Sequence, residues 1–231
     1  MRQPGLTMLF IWVGIVASVA ADGPPPRDAT LRGELLAMEK ADQEARTQMM
    51  AELGRAGVSM LDGKAITDPV KLKAIGEITA KMTAVDTRNR DRLKRIVTER
   101  GWPCKTLVGV DGAGAAFLLT QHADDDRPFQ KKCLELMSKA PEGEVRPVDL
   151  AYLTDRDLVA DNKRQRYGTQ LQPKDGTLRA LPIEDEAEVD KRRAGVGLPP
   201  LADYLRETEA EYRKLNKPPA GPEPSQGKAK E

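Results

Sequence analysis

The chain of 231 residues contains one histidine, His122, in the stretch "AFLLTQHADDDRPFQ". An imidazole changes charge near neutral pH, so it serves as a general acid–base group or a metal ligand. A single one narrows the chemistry. Sites built on two imidazoles, such as H-E-x-x-H, are excluded. The four serines, Ser18, Ser59, Ser138 and Ser225, lie outside any G-x-S-x-G turn, which removes the nucleophile-elbow hydrolases. No G-x-x-x-x-G-K-[ST] loop exists for a nucleotide phosphate. The run "GVDGAGAAF" imitates a dinucleotide fingerprint, but Phe117 stands at the last glycine position and no alternating strand–helix pattern surrounds it. What remains is one histidine with carboxylates or with a cysteine. No metal-ligand spacing or cofactor is legible.

His122 continues the line of Ala115, Leu118 and Leu119, so it points to where its helix packs. It reads either as a satisfied structural residue at a helix C-terminus, where the dipole favours positive charge, or as the acid–base group of a polar-ligand site. In the second reading Asp155 orients it. Asp155 is the odd carboxylate on an otherwise apolar helical face, where it needs a partner, and His122 and Arg156 are available. His122 and Asp155 are therefore expected to touch. In "RQRYGTQL", Gln165 and Tyr167 share one strand face with Thr169, and Gln170 takes the other, while Gly168 permits close approach. Gln121, Gln165, Tyr167 and Gln170 form the expected ligand-positioning set. A polar network joining a hairpin to helices would use the same residues without any ligand.

These residues must be positioned by a mainly α fold. A helix over about 28–53 carries Leu31, Leu35, Met38, Ala45, Met49 and Leu53 on one stripe, with Asp42 in the remaining slot. Asp68 and Pro69 start a second helix that ends at Gly101. Together these form a helical hairpin arm over 28–100, in which counting back from a Leu53–Val70 contact places Asp42 beside Lys81. A compact helical domain over 101–216 follows. Asp111 caps its first helix, Pro128 opens the next, and a further helix spans 147–159. One β-hairpin is expected at about 164–183, turning at Asp175-Gly176. Two more helices follow, and the Pro- and Gly-rich tail, 217–231, is expected to be disordered.

The N-terminus reads as an export signal over 1–21: Arg2, an apolar run, then the small residues Ser18 and Ala20. The run is too short for the roughly 20 apolar residues of a spanning helix, so a cleaved signal is expected, with a retained membrane anchor as the alternative; after cleavage no transmembrane segment remains, and the protein is expected in the periplasm or outside the cell. The chain has 37 basic and 36 acidic residues, and the signal carries one base and no acid. A formally neutral mature chain lacks the basic field of a nucleic-acid binder. Cys104 and Cys133 read as a disulfide of an oxidising compartment or as two free thiols.

The stretches "GWP", "LVG", "QHAD", "FQKKCLELM", "DLAYLTDRD", "YGTQ" and "PIEDEAEVDKRRAGVGLPPLADYL" occur in the order of an uncharacterised bacterial family, a domain of unknown function, which the chain resembles over about residues 101–205. The chain departs from it at Phe117, where tryptophan is usual, and near Asn162, where glycine is. The resemblance implies no activity. Two functions stay open: a polar-ligand site around His122, hydrolytic in class and taking a small polar ligand, or a non-catalytic envelope module that docks a protein partner on the long hairpin.

Overall fold

A computed structural model describes residues 25–58, 66–174 and 176–215. The export segment, the tail from 217 and Asp175 lie outside the described residues. Seven α-helices and one two-stranded antiparallel sheet are described: α1 (Ala29–Arg55), α2 (Pro69–Arg100), α3 (Lys105–Gln121), α4 (Arg127–Ser138), α5 (Pro147–Ala160), β1 (Leu171–Lys174), β2 (Thr177–Ala180), α6 (Val189–Gly195) and α7 (Leu201–Leu215). The expected class, mainly α with a long helical hairpin and one β-hairpin, is the class observed. No described helix is long and apolar enough to cross a membrane.

Local chemistry sets the helix ends. The carboxylates of Asp28, Asp68 and Asp126 accept the backbone N–H of Leu31, Val70 and Phe129, at α1, α2 and α4. Pro69, Pro128 and Pro147 sit in first turns, where a missing N–H costs nothing. Gly101 leaves α2 with φ 75°. Asn162, just beyond α5, takes φ 58°, a left-handed conformation that asparagine adopts more readily than most non-glycine residues. Gly109, with φ 78°, breaks α3 into a first turn from Lys105 and a longer piece that begins close to the expected start at Asp111, whose carboxylate accepts the Gly112 N–H.

Two apolar clusters organise the helices. In the larger, Leu31, Leu35, Leu93 and Ile96 of the arm pack with Ala115, Phe117 and Leu119 of α3, Phe129 and Cys133 of α4, and Leu153 of α5. The smaller, far along the arm, joins Met49, Met50, Leu53, Val58 and Ile78. The near half of the arm thus contributes to the main core, and α1 lies against α3 as well as α2. Trp102 of "GWP" is buried at that junction.

The helix register differs from the expected one. Lys81 faces Glu52 at 3.4 Å, and Asp86, not Lys81, reaches the level of Asp42 and Arg46. The reason is visible at the start of α2. Val70 is 77% exposed, so it overhangs instead of packing on Leu53.

Candidate functional site

Asp42, on the buried face of α1, is only 1% exposed. Its Oδ1 lies 2.8 Å from Nδ1 of His122, the C-cap residue of α3. Arg46, one turn further along α1, places Nε 3.2 Å from Asp42 Oδ2 and 3.1 Å from the same His122 Nδ1. Its terminal nitrogen donates to Asp86 Oδ1 of α2 at 2.9 Å. Four ionisable side chains from three helices therefore meet in one buried seam. One guanidinium touches all three of the others.

The protonation states follow from those contacts. Burial raises the Asp42 carboxyl, but His122 and Arg46 outweigh it and hold the group below its ordinary value, as a carboxylate. Burial pushes His122 below the ordinary imidazole value, with Asp42 opposing. Asp86 is raised to about 6, by burial first and then, against Arg46, by the charges of Asp42, Asp124 and Asp125. A neutral imidazole beside a carboxylate places its proton on Nδ1 and donates it to Asp42. The Arg46 Nε–H then faces a nitrogen that has no lone pair to offer. With the proton on Nε2 instead, Nδ1 accepts from Arg46 but turns its lone pair on the carboxylate. One ring nitrogen cannot satisfy both neighbours.

Gln130 braces this helix end. Its Nε2 donates to the Thr120 and Gln121 carbonyls and to Asp124 Oδ1, at 3.0, 3.2 and 3.0 Å, so it covers the free carbonyls that end α3. Gln121 is buried, and its Nε2 finds no hydrogen-bond partner in the structure. Asp124 forms a pair with Arg156 of α5 at 2.7 Å.

The expected contact between His122 and Asp155 is replaced. Asp155 is fully buried and accepts the backbone N–H groups of Arg166, Tyr167 and Thr169 at 2.7 to 3.1 Å, and the Thr169 hydroxyl at 2.9 Å. Backbone donors thus meet the need for a partner that the apolar face of α5 imposes, and neither His122 nor Arg156 does so. The strand expected across "RQRYGTQL" is also corrected. Residues 165–170 form a loop around Asp155, because Gly168 takes φ 70°, and a Cβ there would lie 2.9 Å from Ile183 and Leu201 side chains. Gln165 ties this loop shut, donating to the Gln170 and Leu181 carbonyls and accepting from the Gln170 N–H. Gln170 donates to the Thr169 hydroxyl, and its Oε1 is buried without a partner. Tyr167 offers its carbonyl to Arg193, a guanidinium with no exposure that also stacks 4.9 Å from the Tyr204 ring.

The residues expected to form one site thus fall into two groups. Gln121 and His122 meet the arm at the end of α3; Asp155, Gln165, Tyr167 and Gln170 build the loop. Sequence reasoning found Asp42 as a buried charge but assigned it a structural partner. It missed Arg46, Asp86 and Gln130. Arg46 stands one helical turn from Asp42, which was a usable signal.

Cys104 and Cys133 are free thiols, so the disulfide alternative gives way. Cys133 is buried on α4, and burial pushes its thiol up to about 12.

Among known proteins, the model of a family of unknown function, DUF6624, matches residues 29–217. The chain belongs to DUF6624. The match covers both arm helices as well as the region from Gly101 onward, so the matched region spans the positions of Asp42, Arg46, Asp86 and His122. No curated protein and no solved structure matches the chain.

Proposed function

We propose that this DUF6624 protein is exported and carries a polar-ligand site centred on His122, at which Asp42 orients the imidazole and water is the nucleophile of a hydrolytic reaction. The observation that supports this is the 2.8 Å contact between Asp42 and His122 inside a cluster shared by three helices. A carboxylate fixing a neutral imidazole is the arrangement of a general base, and no serine of the chain stands in a nucleophile turn. Arg46 and Asp86 are the partly exposed members of the cluster, keeping 20% and 15% of their side-chain surface. Asp155, Gln165, Tyr167 and Gln170 support the site by holding the loop beyond α5, and Gln121 adds an unpaired amide next to the histidine.

The test is turnover of chromogenic carboxyl-ester, phosphomonoester and glycoside substrates by the purified chain. Turnover of one class, reduced about 100-fold or more in His122→Gln and Asp42→Asn, is the expected result. Failure on all three, or equal rates in His122→Gln, overturns the hydrolytic reading. Export predicts a mature N-terminus near Ala21 or Asp22, read by N-terminal sequencing of the released protein.

One observation favours a second reading, the envelope interaction module. Val70 and Leu72 on α2 are exposed apolar side chains, beside a shallow open groove lined by Gly76, Ala80, Thr83 and Thr87. Loss of a captured envelope protein in Val70→Lys, with His122→Gln without effect, would favour it.

A further inference from the structure

We propose that Asp42, Asp86 and His122 bind one divalent transition-metal ion, which takes the place held by the Arg46 guanidinium. This deepens the reading of the His122 cluster as a ligand site and rests on it. The donor set is one imidazole nitrogen and two carboxylates, each from a different helix or helix end, with the ligand atoms all within 4.8 Å of one another. Bonds of about 2.1 Å put tetrahedral ligand atoms about 3.4 Å apart, so separations at the 4.8 Å limit close by about 1.4 Å while the 2.8 Å Asp42–His122 contact opens by about 0.6 Å. Imidazole selects zinc, manganese or iron over magnesium and calcium, which prefer oxygen alone. Three protein ligands leave a coordination position for water.

Two further features point to a cation. The chain already holds a positive group there: Arg46 lies 3.1 Å from His122, 3.2 Å from Asp42 and 2.9 Å from Asp86. The guanidinium stands in for an ion among the same three ligands. The ring nitrogen of His122 is also caught between an N–H and a carboxylate that it cannot serve together. A metal removes that conflict, because Nδ1 and the Asp42 oxygen then both direct lone pairs at the ion. The C-terminal carbonyls of α3 add negative potential on the same side.

The experiment uses the untagged full chain, freed of metal by chelation, with Cys104→Ser so that a partly buried free thiol does not compete. Zinc binding is followed by calorimetry, and cobalt binding by visible absorption. One ion per chain is expected, with affinity weakened about tenfold or more in His122→Gln and in Asp86→Asn. Arg46→Met, which removes the competing cation, is expected to bind zinc at least as tightly as its parent and to gain melting temperature when zinc is added. If Arg46→Met does not fold, the single imidazole supplies the readout: zinc should displace the proton from Nδ1, so that Nδ1 takes the resonance of a metal-bound nitrogen and Nε2 that of a protonated one. Absence of stoichiometric binding, or binding that survives both ligand substitutions, overturns the proposal. The two readings fail separately. Zinc bound with no turnover keeps the metal site and removes hydrolysis. Turnover indifferent to chelation, in a chain that binds no zinc, does the reverse.

Discussion

Asp42 and Asp155 are both carboxylates on apolar helical faces, both almost without exposure, and they are satisfied in opposite ways. Asp155 receives three backbone N–H groups and one hydroxyl, none of which titrates at ordinary pH. Burial raises its carboxyl, while those donors oppose the shift. Asp42 receives an imidazole, a guanidinium and the Gln43 amide, all side chains that can move or change partner. A carboxylate held by backbone is scaffold. One held by ionisable side chains, with a second acid 2.9 Å beyond the shared arginine, has the parts of a site. The difference lies in the donors, since burial is the same.

The largest expected effect is on the scaffold side. Asp155→Ala leaves four donors without an acceptor, the two of Thr169 buried and those of Arg166 and Tyr167 partly so, at about 1–3 kcal/mol each when buried and unmet. A loss of about 4 kcal/mol or more is expected in urea unfolding, comparable with the lower end of total domain stability. If the loss were below about 1 kcal/mol, Asp155 would not be the loop's anchor and the comparison would break.

The next effect is pH dependence, and it belongs to the seam. Asp86, raised from 3.8 to about 6, holds its proton more readily folded than unfolded. Its contribution is full below about pH 4 and is lost as pH rises through about 6, roughly 3 kcal/mol at most. His122 has the opposite sign. Its depressed value means that the unfolded chain protonates first, so its contribution is present above about 6.5 and is lost as pH falls. Asp86→Asn should therefore be less stable at pH 5 than at pH 7.5, while the parent changes less because the two contributions oppose. Parallel profiles from denaturant unfolding at both pH values would contradict this.

A smaller effect separates structure from function at the imidazole. In His122→Gln an amide can still donate to Asp42, so stability should fall by only about 1 kcal/mol, while zinc affinity falls about tenfold or more and turnover about 100-fold or more. A stability loss as large as that of Asp155→Ala would make His122 scaffold too.

How legible all this was depends on which contacts are local. Helix starts at Asp68-Pro69 and Pro128 and the stop at Gly101 were readable because these signals act within a few residues. The hairpin of β1 and β2 fell inside the expected 164–183. Asp42 was readable as a buried charge by periodicity alone, but its partners come from α2 and α3, and a register counted back from Val70 failed because Val70 does not pack. Asp86 looks like any other acid in "VDTRNRDRLKR", a run whose charges mostly face water; nothing local distinguishes the one that turns inward. The faces assigned to Gln165, Tyr167 and Gln170 assumed alternation, which Gly168 breaks with its positive φ.

The smallest effect concerns the thiols. With no disulfide, reductant should leave the melting temperature unchanged, and alkylation of native protein should reach Cys104 well before buried Cys133. Resistance of both thiols in unreduced, denatured protein would contradict free cysteines.

The central claim is that Asp42, and not Asp155, governs the chain's one histidine. Nitrogen-15 spectra of the imidazole, recorded through a pH titration of the untagged chain, test it without ambiguity of assignment. The structure predicts a neutral ring at pH 7 with its proton on Nδ1 and a titration below 6.5. Asp42→Asn should lower that titration further and shift the proton towards Nε2, because the carboxylate that favours the charged ring and accepts from Nδ1 is gone. A His122 that titrates at its ordinary value and ignores Asp42→Asn would contradict the account.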